Sequence, residues 1–182
     1  MEQMHCGLMG DPSLKLCLPL QQLKDEHIPL RKQMDDLKIL ADTIGENPDT
    51  DDWSETILFL AEKVNQFTSE LEPHSDREEG ILFPMMYKYI GRESGPIAVM
   101  EYEHDTAKNY LKTFKDQVSI ISGAVEKNKA TELAKLVIEA YHVLTDHFMK
   151  EENVLFPMAE KFFSDAEKEE LARKLQTSCK TK

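Results

Sequence analysis

The sequence predicts an all-α fold: an antiparallel up-down four-helix bundle of two repeated helical hairpins, with a short extra C-terminal helix and a flexible N-terminal arm. Three observations carry this. Apolar residues recur at helical spacing over long stretches, and nothing alternates at the strand period for long. Only seven glycines and eight prolines interrupt the 182 residues. A twelve-residue pattern containing histidine and glutamate occurs twice.

Residues 1–14 read as the arm, residues 15–165 as the bundle and residues 166–182 as the extra helix and tail. From Pro19 the positions Leu20, Leu23, Leu30, Met34, Leu37 and Ile44 form one helical stripe that stops at Gly45. Glu46 to Asp52, with Asn47, Pro48 and several acids, is a polar loop. Trp53, Ile57, Leu60, Val64, Phe67 and Leu71 make a second stripe. It continues to about Ile90 with a kink expected at Pro73 or Pro84. After a break at Gly91 to Gly95, Pro96 suits a first helical turn, where its missing N–H has no partner anyway. Val99, Tyr102, Ala107, Tyr110, Phe114, Val118, Ile121 and Val125 extend that third helix to about Glu126. The fourth runs from Thr131 to near Phe163, and Ser164 with Glu167 three residues on forms a capping box for the last.

The balance of 34 acidic against 22 basic residues gives a net charge of −12, which disfavours nucleic acid and anionic lipid as partners. No apolar run approaches the roughly 20 residues of a membrane helix, and Met1 to Asp11 lacks the pattern of a secretion signal. Three cysteines, Cys6, Cys17 and Cys179, are no disulfide framework; they read as ordinary free thiols of a reducing, cytoplasmic compartment.

The doubled pattern is His-x-x-x-Glu-Glu-x-x-Leu-Phe-Pro-Met, starting at His74 and again at His147. A Glu-His pair precedes each copy, Glu26-His27 and Glu103-His104, at separations of 47 and 43 residues from the later histidine. The chain is therefore two copies of one unit, with a single histidine on the first helix and a His-x-x-x-Glu on the second. Four residues advance a helix by a net rotation of about 40°. His74 with Glu78, and His147 with Glu151, then share a face one turn apart and converge on one point. Glu79 and Glu152 lie about 140° from their histidines and are expected to face elsewhere.

A lone histidine on an apolar stripe is ordinarily a satisfied core residue, and a metal-free helical scaffold is the plainest reading. Four buried imidazoles and two buried carboxylates without a metal would carry a large desolvation cost. His27, His74, Glu78, His104, His147 and Glu151 are thus candidate metal ligands. Histidine and carboxylate without cysteine favour iron, manganese or zinc, and six ligands with two glutamates free to bridge suit two ions. Glu-x-x-His strings of the ferritin-like kind, Glu101/His104 and Glu139/His142, fall on consecutive helices, the wrong arrangement for that fold. His142 is left outside the ligand set. Tyr102, Tyr110 and Tyr141 are candidate hydrogen-bond donors to a bound ligand. There is no nucleophilic triad, phosphate loop or organic-cofactor motif.

These residues resemble the hemerythrin-like (HHE cation-binding) domain over roughly residues 15–165. The resemblance implies a four-helix bundle holding a non-haem di-iron centre. One iron would take His27 and His74 and the other His104 and His147, with Glu78 and Glu151 bridging beside an oxo or hydroxo species. Oxygen-carrying hemerythrins have a further histidine where Lys108 stands and an aspartate where Glu151 stands. The set of four histidines and two glutamates is more similar to di-iron proteins that respond to nitric oxide and repair iron–sulfur centres. That group often carries a small cysteine-bearing N-terminal domain, which Cys6 and Cys17 are not enough to replace. The expected function is a di-iron protein that senses or handles nitric oxide, oxygen or peroxide in stress response or iron homeostasis. The alternatives are an iron-responsive regulatory module read by a protein partner and an oxygen-binding or storage protein.

Overall fold

The computed structural model describes residues 14–178, and every regular element among them is helical. Cys6, Cys179 and nearly all of the expected N-terminal arm lie outside the described residues. Helix α1 (Leu18–Thr43) has Pro19 in its first turn and buries Leu20, Leu23, Leu30, Met34, Leu37 and Ala41, the stripe expected of it. Gly45, at φ +89°, reverses the chain there. Helix α2 (Ser54–Arg77) starts where the Asp52 carboxylate accepts hydrogen bonds from the Ser54 and Val125 N–H groups at 2.9 and 3.0 Å. Trp53 N–H donates to the Val125 carbonyl at 2.9 Å, so two distant loops are tied together at this end.

The expected kink at Pro73 or Pro84 takes another form. Pro73 sits inside α2, and the helix passes into a π segment, Glu78–Leu82, before resuming as α3 (Phe83–Ile90). Pro84 has no N–H to give to the preceding turn, and the wider π turn accommodates the missing bond. The same happens ahead of Pro157: α5 (Lys127–Lys150) leads into a second π segment, Glu151–Leu155, and then α6 (Phe156–Phe162).

Helix α4 (Pro96–Ser119) ends well before the expected Glu126. Ile121 and Val125 keep a helical spacing but lie in a loop, where Gly123 takes φ +92° and Val125 bonds to Asp52 and Trp53. Helix α7 (Asp165–Ser178) opens at the expected box, in which Glu167 Oε2 accepts from both the N–H and the hydroxyl of Ser164 at 2.8 Å. Lys88 and Tyr89 of α3 also donate to Glu167, which ties α7 back to the bundle.

Helix α1 packs along α2 and α5, α4 along α5 and α2, and α7 against α1. The apolar interior is divided in two. One cluster, around Leu30, Phe67, Leu71, Phe114 and Leu144, fills the end nearest the Asp52 junction. The other, around Leu20, Leu23, Leu82, Phe83, Met100, Phe156 and Leu171, fills the opposite end. A polar layer lies between them.

Candidate metal centre

That layer consists of the six candidate ligands. His27 falls between Leu23 and Leu30 on α1, and His104 between Met100 and Ala107 on α4, so each histidine inherits a core position from its helical stripe. All six side chains are at most 2% exposed. They form two overlapping groups, His27/His74/Glu78/Glu151 and Glu78/His104/His147/Glu151; in each, four donor atoms lie within 4.8 Å of one another.

The two glutamates belong to both groups. Oε2 of Glu78 stands 3.4 Å from His74 Nε2 and 3.5 Å from His104 Nε2. Glu151 reaches His147 Nε2 with Oε1 at 3.2 Å and His27 Nε2 with Oε2 at 3.3 Å. The Nε2 atoms of His27 and His74 are 3.1 Å apart. Each π segment begins at one of these glutamates, Glu78 or Glu151. Both oxygens of Glu78 and of Glu151, and Nε2 of His147, are buried without a hydrogen bond. Groups this polar are costly to bury unpartnered, and inward-facing imidazole nitrogens and carboxylate oxygens are the donor set that iron, manganese or zinc takes. The residues fit a pair of metal ions.

A second ring of four half-buried carboxylates surrounds the first. His27 Nδ1–H donates to Glu152 at 2.8 Å, His74 to Glu26 at 2.8 Å, His104 to Glu79 at 2.7 Å and His147 to Glu103 at 3.3 Å. A cation backs each one: Arg31 on Glu152, Arg77 on Glu26, Lys108 on Glu79 and Lys150 on Glu103. In the neutral ring that a metal ion requires, donation from Nδ1 fixes the tautomer and turns the Nε2 lone pair inward. Glu79 and Glu152 do face away from the point where their own His-x-x-x-Glu pair converges, as expected. What was missed is their destination, a histidine of the other repeat. The signal was available, because Glu-Glu and Glu-His each occur in both copies.

Electrostatics follow the same pattern. Burial disfavours a charged His27, yet Glu151 and Glu152 outweigh it and hold the ring's pKa at about 9. At His147 burial is likewise overcome by Glu151 and Glu103, raising its pKa to about 10. Burial pushes the Glu151 carboxyl upward, but His147 and His27 hold it well below its ordinary value. The site is thus an alternation of negative and positive groups that protons or metal ions can satisfy.

The other candidates lie apart. His142 is exposed against Tyr141. Glu101 accepts from Tyr87 at 3.0 Å, which leaves the Glu101/His104 string without a shared role. Tyr102 is 70% exposed, Tyr110 packs on the apolar cluster nearest the Asp52 junction, and Tyr141 donates to Asp35 at 3.3 Å. None of these three contacts a candidate ligand through a hydrogen bond.

A family model described as the hemerythrin HHE cation binding domain matches residues 18–159. The chain is 34% identical over 144 residues to a protein named iron-sulfur cluster repair protein YtfE from Musicola paradisiaca (strain Ech703), covering 77% of this chain and 62% of that one. Proteins of the same name from Escherichia coli O157:H7 and Enterobacter sp. (strain 638) are 35% and 38% identical over 102 and 104 residues, in each case 55% of this chain and 46% of the relative. The matched part therefore spans about half to three fifths of these relatives' own length.

Proposed function

The chain belongs to the hemerythrin HHE cation-binding domain family, and from that premise we propose that it holds two iron ions and uses them to handle nitric oxide or an oxidant. The single observation that carries the reading is the sharing of Glu78 and Glu151 between two buried groups of histidine and glutamate. Two groups with two common carboxylates suit a bridged pair of ions better than a single one. One ion takes His27 and His74, and the other takes His104 and His147. The bundle of residues 15–165, two antiparallel hairpins in up-down order, is the frame that brings the two histidine pairs face to face. Zinc or manganese can occupy the same donors.

Bound iron supplies a redox-active Lewis acid for a small ligand such as nitric oxide, oxygen or peroxide. The protein's own contribution is orientation and exclusion. Glu26, Glu79, Glu103 and Glu152 hold the neutral imidazoles in one tautomer by accepting the four hydrogen bonds that Nδ1–H donates. Phe83 and Phe156 stack near His104 and His27 at 5.8 and 5.7 Å and keep bulk water from that side. The likeness to iron–sulfur cluster repair proteins directs the activity toward the upkeep of iron centres under nitrosative or oxidative stress. The test is an anaerobic titration of the ferrous protein with nitric oxide, followed by visible absorption and electron paramagnetic resonance. New bands that saturate near stoichiometry with the iron support the reading. A spectrum indifferent to nitric oxide, and equally to oxygen and peroxide, overturns it.

A further inference from the structure

The two repeats match closely around the centre except on one face. Phe148, which follows His147, stacks on the His27 ring with centroids 4.1 Å apart and 13° between planes. Arg31 lies over the outside of Phe148 at 5.3 Å. About two helical turns away, Tyr141 closes the same face with Lys38 over its ring at 5.7 Å. In the other repeat the corresponding histidine is His104, Lys108 replaces Arg31, and Lys115 keeps the place of Lys38. The two aromatic residues are gone: Ser75 stands for Phe148 and Thr68 for Tyr141.

At Thr68, the counterpart of Tyr141, the surface is open, whereas Ser75 is not itself on the wall of that opening. A cleft of about 580 Å³ lies between α2 and α4, with Thr68, Leu71, Asp76, Lys108 and Leu111 among its walls. Leu71 and Asp76 flank Ser75 along α2, and Lys108 is one turn from His104 on α4. Ser75 itself is 1% exposed, and its hydroxyl has no hydrogen-bond partner. Thr68, by contrast, donates to the Val64 carbonyl at 2.9 Å. A buried hydroxyl without a partner is expensive and calls for a role. The remaining cover is symmetric, since Phe83 and Phe156 lie over His104 and His27 at nearly equal distance.

Resting on the two-metal reading, we infer that the centre is reached from one side only: the α2–α4 cleft admits a small anionic or diatomic ligand to the position held by His104 and His147, where the Ser75 hydroxyl donates to it. The His27 and His74 position is closed by Phe148 and Tyr141. One repeat supplies a plug and the other supplies a port, so two positions with equivalent protein ligands differ in access.

Azide binding to the full chain loaded with ferric iron tests this, read by its charge-transfer absorption with the iron content of every variant measured alongside. Ser75→Ala keeps the room and removes the donor, and should raise the azide dissociation constant roughly tenfold at unchanged iron content. Thr68→Tyr, which restores the residue of the other repeat at the mouth of the cleft, should slow azide association about tenfold or more, on the scale on which related binding sites differ. Unchanged affinity in Ser75→Ala, or unchanged association in Thr68→Tyr, overturns the inference. An unmodified chain that takes up no iron fails earlier, at the metal reading itself, and the iron measurement tells the two failures apart.

Discussion

Glu152 accepts a hydrogen bond from Nδ1 of His27 at 2.8 Å although the two lie 125 residues apart and on different repeats. Glu79 and His104 make the reciprocal contact at 2.7 Å. The two hairpins are thus joined through carboxylates that also aim the candidate ligands. Glu152→Gln and Glu79→Gln keep the shape and remove the charge, and each should weaken metal binding about 10- to 100-fold. Competition against a chelator of known affinity measures this, and unaltered affinity in both variants would show that the contacts do not orient the histidines.

The histidines themselves should be more severe. His147→Ala removes an Nε2 that is buried without a hydrogen bond and a ring 0% exposed. One metal ion per chain should be lost, while Glu78, Glu151, His27 and His74 retain the other. Two ions per chain in the variant would contradict the ligand assignment.

Removing the metal should lower stability without unfolding the chain. The apolar clusters on either side of the polar layer are independent of it, with Phe67, Phe114, Phe83 and Phe156 at most 1% exposed. A ligand present at about a thousand times its dissociation constant adds about 4 kcal/mol, so the metal-free melt should fall but remain cooperative. A chain that is unfolded without metal would instead favour the regulatory module, in which metal supply decides folding.

Gly45 offers a test of the turn between α1 and α2. An added Cβ would lie 2.6 Å from Thr131 Oγ1, on backbone already at φ +89°. Gly123 has a similar φ of +92° but open space around it. Gly45→Ala should therefore cost more than Gly123→Ala, which bears only the backbone term of about 1 kcal/mol. Denaturant unfolding of the two variants measures the difference, and equal costs would contradict it.

Much of this arrangement was legible in the residues. The apolar stripe from Leu20 to Leu37 and the pairing of His74 with Glu78 follow from the helical period alone, because one helix settles which side chains share a face. The partners of Glu79 and Glu152 depend on how one hairpin docks on the other, which no local period records. The helix expected to reach Glu126 stops at Ser119 because Gly123 and the Asp52 carboxylate, 73 residues before Val125, hold that stretch as a loop. Pro84 announced irregular helix, but a proline alone does not say whether the outcome is a kink or a π segment; the fourth helix, expected to run unbroken to near Phe163, is interrupted in the same way ahead of Pro157.

The central claim is that Glu78 and Glu151 are shared between two metal positions, and the number of metal ions per chain tests it most directly. Elemental analysis of protein purified without added metal or chelator, with its visible spectrum, should give two irons per chain and near-ultraviolet charge-transfer absorption. A folded protein that carries no metal and refuses added iron would contradict it and leave the buried histidines and glutamates to be explained as a proton-bridged core.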